Sequence, residues 1–219
     1  MLSQRSDEGV PFRVLFVCTG NVCRSPLAER LSVAYLDAVL GPAAAAISVE
    51  SAGTNAVVGR GMHPYSADAL ASLGGNAAGF VARQLTEEIA SRADLVLALT
   101  REHRHAVLKR SPRGLARTFT VLEAADLAAM VPSVDDLPGA NVGDQWRSLT
   151  RLMAAARALR TSSDADDIAD PIGAPPEVHQ QIGDRIAEGV LRLFGRFVDP
   201  GSAPAPLDLR PAEPYASGR

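Results

Sequence analysis

The chain has 219 residues, 47% of them hydrophobic and 21% charged, with a formal net charge of −3. That length and apolar content suffice to bury one good core, and one domain is the default reading. The small negative charge argues against a nucleic-acid binder working by phosphate attraction alone, and no apolar run approaches the roughly 18 residues of a membrane-spanning helix.

Met1 to Val10 are polar and lack the apolar stretch of a secretory leader, so the expected location is the cytoplasm. The two cysteines, Cys18 and Cys23, do not make a secreted disulfide framework. Of the 22 basic residues, 21 are arginine; this and the abundance of alanine fit a GC-rich bacterial genome.

Residues 13–17 form a short apolar run rich in strand formers and read as a buried strand. It stops at a polar loop over residues 18–25. Ser25 is placed to cap the next helix, with Pro26 at its first position and Leu27, Leu31, Ala34 and Tyr35 along one stripe as far as Gly41-Pro42. Residues 47–51 read as a second strand. A short helix follows over 64–74, closed by Gly74-Gly75. Thr86 caps another helix, with Ile89 and Ala93 facing inward. Residues 94–99 form a third buried strand, 101–110 a helix, and 118–122 a fourth strand. Val178, Ile182, Ile186 and Val190 recur every fourth residue in a terminal helix over 176–197.

Such alternation predicts an α/β fold with a mostly parallel sheet, whose ligands sit at the carboxyl ends of the strands. Residues 1–12 are expected to be a tail, 13–198 the folded domain, and the Pro-rich residues 199–219 a disordered tail. Within the domain, 126–167 reads as an insertion: an amphipathic helix with flexible flanks, its arginines over 147–160 on a solvated face. His63, His103, His105 and His179 stand in no ligand or nucleophile pattern and are expected at the surface or at caps.

The loop Cys18-Thr19-Gly20-Asn21-Val22-Cys23-Arg24-Ser25 carries the chemistry. A phosphate monoester is doubly negative and repels nucleophiles. Splitting it takes an anionic attacker, positive groups around its oxygens, and an acid for the leaving group. A cysteine six residues ahead of an arginine supplies the first two. Cys18 attacks as a thiolate, the N–H groups of residues 19–24 form an anion nest, and Arg24 takes two phosphate oxygens at once. The next helix aims its N-terminus at the same point, and this field favours the thiolate. The bare spacing is weak, because about one residue in ten here is arginine. The strand before it, the helix after it, and Gly20 and Asn21 for left-handed turns add weight. The alternatives are a pair of buried core thiols, or a Cys-x4-Cys metal half-site. The half-site lacks a second ligand pair and has no histidine nearby in sequence, so no metal is expected.

The run Val14–Glu29, VLFVCTGNVCRSPLAE, resembles the signature of the low-molecular-weight protein tyrosine phosphatases. Ser51-Ala52-Gly53-Thr54, Ala82-Arg83-Gln84-Leu85-Thr86 and Asp170-Pro171 are further matches, and the resemblance spans about 13–197 apart from the insertion. It implies a flavodoxin-like three-layer fold with a central four-stranded parallel sheet, and metal-free, cofactor-free hydrolysis of phosphorylated protein through a phosphocysteine. It puts the nucleophile on Cys18 and the phosphate-binding arginine on Arg24. It also puts the hydroxyl that bonds the thiolate on Ser25, and the network that holds the loop on Asn21 and Ser51. Thr19, Gly20, Asn21, Val22, Cys23 and Arg24 form the phosphate loop, and Cys23 is the redox partner of Cys18. One carboxylic acid can protonate the leaving oxygen and then activate water. The family's acid falls on Asp170, with Asp166 and Asp167 next in line. Asp199-Pro200 lies beyond the last helix.

The expected substrate is phosphotyrosine. Yet the family's ring-stacking aromatics are missing. Ile172-Gly173-Ala174-Pro175 follows the Asp-Pro, and Asn55-Ala56-Val57-Val58-Gly59 follows Thr54. The Asp-Pro-x-Gly form resembles the protein arginine phosphatases, whereas Val22 resembles the tyrosine branch. Related thiol-coupled arsenate reductases need cysteines that this chain lacks after Cys23. A phosphate-binding module without catalysis would need neither the thiol nor the acid.

Overall fold

The computed structural model describes residues 11–132, 137, 139 and 141–198. Four strands, β1 (Phe12–Cys18), β2 (Ile47–Gly53), β3 (Leu95–Ala98) and β4 (Thr118–Thr120), form one parallel sheet in the order β2-β1-β3-β4. The chain builds outward from β1 to β2, then crosses back to β3 and β4. The order therefore reverses between β1 and β3, and the carboxyl ends of those two strands open a crevice.

Seven helices accompany the sheet among the described residues: α1 (Arg24–Leu40), α2 (Pro64–Ser72), α3 (Glu87–Arg92), α4 (Arg101–Arg110), α5 (Val121–Ala129), α6 (Val142–Ala156) and α7 (Pro176–Phe194). Side chains alternate along β1. Phe12, Val14 and Phe16 join the larger core with Leu27 and Leu31 of α1, Leu127 of α5 and Ile186 and Val190 of α7. Leu15 and Val17 join the smaller one with Ala90 of α3 and Val107 of α4. Covering both faces with helices explains why β1 reads as an unbroken apolar run. The structure thus has the expected three-layer α/β fold around a four-stranded parallel sheet.

Several local expectations need correction. Phe12, assigned to the N-terminal tail, is fully buried at the start of β1. The fourth strand ends at Thr120 rather than 122. Thr120 caps α5 there, accepting from the Glu123 N–H while Glu123 accepts from the Thr120 N–H. The amphipathic helix expected within 126–167, over Trp146–Arg160, exists as α6, but it is part of the core. Trp146 is wholly buried, meets Phe12 edge-on at 5.4 Å and Phe197 at 4.6 Å, and donates its indole N–H to the Phe197 carbonyl at 2.9 Å. Of the arginines over 147–160, Arg151 is exposed as expected, but the others are engaged with the fold. Arg157 lies 4.3 Å over the Phe119 ring and bonds Glu123 at 2.8 Å, and Arg160 bonds Asp126 and the buried Asp166. Residues 1–10, 199–219 and part of 133–140 lie outside the described residues, and with them the expected tails and one flank of α6.

Candidate active site

The loop after β1 is wrapped from outside by the segment after β2. The N–H groups of Thr54, Asn55, Val57 and His63 donate to the carbonyls of Cys18, Thr19, Gly20 and Val22 at 2.7–3.0 Å. A trans peptide is planar, so a carbonyl turned outward turns the next N–H inward. The N–H groups of residues 19, 20, 21 and 23 therefore face the concavity. The Asn21 N–H shows the result, pointing at Cys18 Sγ from 3.3 Å. Such a ring of N–H groups, next to the first turn of the 17-residue α1, is an anion cradle.

Cys18 ends β1 and is buried, its sulfur 2.9 Å from Ser25 Oγ. Asn21 holds the loop's shape. It takes the left-handed conformation at φ 54°, and its side-chain amide donates to Ser25 Oγ at 2.9 Å and Ser51 Oγ at 2.8 Å. Its side-chain oxygen accepts from the Arg83 N–H at 2.9 Å. Ser51 then donates to Glu29 at 2.6 Å. A fully satisfied buried network of this kind rigidifies the groups it joins. Two details differ from expectation. Gly20 is not left-handed; only Asn21 is among the non-glycine described residues, and Gly20 is absent from the positive-φ glycines. Ser25 does not cap α1, which starts at Arg24 without a side-chain cap, because its hydroxyl is taken by Cys18 and Asn21.

Arg24 is buried at the floor of the cradle. One of its terminal nitrogens donates to the Ile168 carbonyl at 3.0 Å, the other to Asp170 at 2.5 Å. Its Nε has no partner, which leaves one donor of the fork free. The Asp170 side chain is 39% exposed, and its other oxygen accepts from the Ile172 N–H at 3.2 Å. The Ile168 N–H donates to the Leu99 carbonyl at 2.9 Å, which moors this segment beyond the end of β3. The other acidic candidates are bound elsewhere, Asp166 by Arg160 and Asp167 by Arg101. Among these three acids, Asp170 is the one paired with Arg24.

Sequence reasoning missed three partners of the loop. Arg83 bonds the Ser51 carbonyl at 2.7 Å as well as Asn21, and Glu29 closes the serine network. His103, expected at the surface or at a cap, is buried. Its Nε2 meets Thr19 Oγ1 at 2.9 Å and its Nδ1 meets Thr100 Oγ1 at 2.8 Å. Burial, and then the Arg24 charge, lower its pKa to about 4, so the ring is neutral at ordinary pH. Its position just past the end of β3, one turn after the cap Thr100, was the available signal.

Cys23 faces away from Cys18's polar surroundings. Burial is the main reason its thiol is pushed up to about 11. No histidine was expected near it, yet His63 and His179 both come close: one donor atom from each of the three side chains lies within 4.8 Å of the others.

The family model described as low molecular weight phosphotyrosine protein phosphatase matches residues 13–128, from the start of the sheet through α5. The chain belongs to that family. It is 37% identical over 106 residues to the low molecular weight protein-tyrosine-phosphatase Etp of Escherichia coli K12, a match covering 48% of this chain and 66% of Etp. It is 30% identical over 184 residues to the protein-arginine-phosphatase of Geobacillus stearothermophilus, covering 84% of this chain and 95% of that protein. Among solved structures, the low molecular weight protein tyrosine phosphatase from T. tengcongensis superposes with a TM-score of 0.60 at 27% identity, covering 84% of this chain and 97% of that one.

Proposed function

We propose that the protein hydrolyses phosphotyrosine on protein substrates through a cysteinyl-phosphate intermediate, without a metal. One observation carries the reading: Cys18 Sγ lies among the Asn21 N–H, Ser25 Oγ and a cradle of inward N–H groups, with the Arg24–Asp170 pair beside it.

In the first step the phosphoryl group enters the cradle, and Arg24 exchanges Asp170 for two of its oxygens. The Cys18 thiolate attacks phosphorus, and a phosphorus–sulfur bond forms as the phosphorus–oxygen bond to the phenol breaks. Asp170, protonated, gives its proton to the leaving oxygen. In the second step Asp170 takes a proton from water, which attacks phosphorus. Cys18 leaves as thiolate with the Ser25 hydroxyl donating to it, and inorganic phosphate departs. The N–H groups are already aimed where charge develops, so little reorganisation accompanies either step. His103 holds Thr19, and Asn21 and Ser51 hold the loop; these are positioning residues.

The test is hydrolysis of p-nitrophenyl phosphate in the presence of a chelator. Cys18→Ser is expected to abolish turnover, and Asp170→Ala to lower it by about 10²–10⁴-fold. Equal rates for wild type and both variants overturn the reading.

A second reading, protein arginine phosphatase, is favoured by the pocket's rim. Val57, Val58 and Ile172 are exposed on the segments that follow Thr54 and Pro171, and neither segment, 55–59 or 172–175, carries an aromatic to stack on a phenol. The arginine phosphatase of Geobacillus also aligns over most of this chain. A panel of phosphotyrosine and phosphoarginine peptides separates the two by the ratio of kcat/KM.

A further inference from the structure

Behind the loop, three segments distant in sequence converge. Cys23 comes from the loop, His63 from the residue before α2, and His179 from the first turn of α7. Their donor atoms all lie within 4.8 Å of one another. Cys23 and His179 are buried and His63 is half-buried.

The nitrogens are the informative atoms. His63 Nδ1 and His179 Nε2 are both buried and have no hydrogen-bond partner. The Pro171 carbonyl favours a charged His179 ring from nearby but completes no hydrogen bond with Nε2. Buried polar atoms are nearly always satisfied, and leaving one without a partner is costly. Here both rings stand beside the same thiol. The other nitrogen of His179 is occupied: Nδ1 lies 2.8 Å from the buried Ser66 Oγ. A histidine whose second nitrogen is fixed by a hydroxyl or carbonyl presents its first to a metal in a set orientation. Tyr65 packs edge-on against both rings, at 5.3 and 5.5 Å.

We propose that Cys23, His63 and His179 form a binding site for a borderline-soft divalent cation of the zinc type, joining the loop to α2 and α7. One thiolate and two imidazoles suit zinc, and hard cations such as calcium or magnesium avoid them. Tetrahedral zinc, with bonds of about 2.3 Å to sulfur and about 2.0 Å to nitrogen, places such ligands about 3.3–3.6 Å apart. The donors, within 4.8 Å of one another, therefore close by about 1.5 Å at most, and the two rings, stacked at 4.6 Å and 16°, tilt as they do so. Water completes the coordination. The opposing charge is Arg24, which Asp170 neutralises at 2.5 Å. On binding, Cys23 releases its proton and gives sulfur as thiolate to the metal. The site does not depend on the hydrolytic reading, since none of its three ligands takes part in that chemistry.

The test uses the full chain, freed of metal with chelator and kept reduced, titrated with Co²⁺ and then Zn²⁺. One equivalent of Co²⁺ is expected to give a thiolate-to-cobalt charge-transfer band in the near ultraviolet and the strong visible bands of a tetrahedral site; Zn²⁺ abolishes both. Cys23→Ser removes the charge-transfer band. His63→Gln and His179→Gln each weaken Co²⁺ at least tenfold, and Cys18→Ser binds as wild type does. Zn²⁺ raises the melting temperature of wild type and Cys18→Ser but leaves that of Cys23→Ser unmoved. If His179→Gln does not fold, His63→Gln, at a half-buried position, decides the matter. Absence of the charge-transfer band in wild type, or its loss in Cys18→Ser with retention in Cys23→Ser, overturns the proposal.

Discussion

Cys18 and Cys23 are five residues apart in one loop, yet they sit in opposite environments. Cys18 looks into a cradle of N–H groups, with Ser25 and Asn21 as hydrogen-bonding neighbours. Cys23 looks away, toward Ser66 and two imidazoles, where burial pushes its thiol up to about 11. The difference comes from the backbone. Outward carbonyls at residues 18, 19, 20 and 22 turn the amides to one side and commit that side to anions. The side chain of Cys23, at the cap of α1, goes to the other side, where α2 and α7 meet the loop. One residue type thus acquires two chemistries within a single turn of chain.

Alkylation gives the widest contrast. At pH 8 a thiol raised to about 11 is thiolate in about one molecule in a thousand. Iodoacetate is expected to label Cys18 first and Cys23 a hundredfold or more slowly, by peptide mass mapping; equal labelling would break the comparison. On the proposed mechanism, Ser25→Ala removes the donor that eases departure of Cys18. It should slow breakdown of the phosphoenzyme by about tenfold or more, and a burst in p-nitrophenolate release reports that step directly. If the burst is no larger than in wild type, Ser25 acts elsewhere.

Asn21→Ala leaves Ser25, Ser51 and the Arg83 N–H without their common partner and puts alanine at a left-handed position. A loss of about 1–3 kcal/mol in urea unfolding is expected, with a fall in turnover, while the environment of Cys23 is retained. The smallest effect concerns pH. His103 titrates at about 4 in the folded protein, below the ordinary histidine value near 6.5. The unfolded chain therefore binds more protons between those values. Stability is complete above about pH 6.5, declines as pH falls toward 4, and is flat with respect to this group below that. His103→Gln should flatten the melting temperature across this window; an unchanged slope would show that another group carries it.

The local elements were legible in the sequence because their signals are local. The run into Cys18, the cap Thr86 and the four-residue spacing in α7 each specify a segment from within itself. Trp146 was not legible as a core residue. Its helix is amphipathic, and nothing nearby says that Phe12, Phe194 and Phe197 are waiting for it. Arg147, Arg157 and Arg160 looked solvated for a similar reason, because Asp94, Glu123, Asp126 and Asp166 are supplied by other parts of the fold.

By itself the sequence determined the strand, the loop with Cys18, Arg24 and Ser25, and the helix behind it, since a strand–loop–helix unit is made of consecutive residues. Only the tertiary structure decided which acid meets Arg24, that His103 supports Thr19, and that Cys23 has His63 and His179 for company. Those pairings span 40 to more than 150 residues, and the return of the chain across the sheet at β3 and the docking of α7 on α1 and α2 bring them together. Spacing along a chain carries no record of such meetings, because a side chain's neighbours across the fold are set by packing and not by sequence distance.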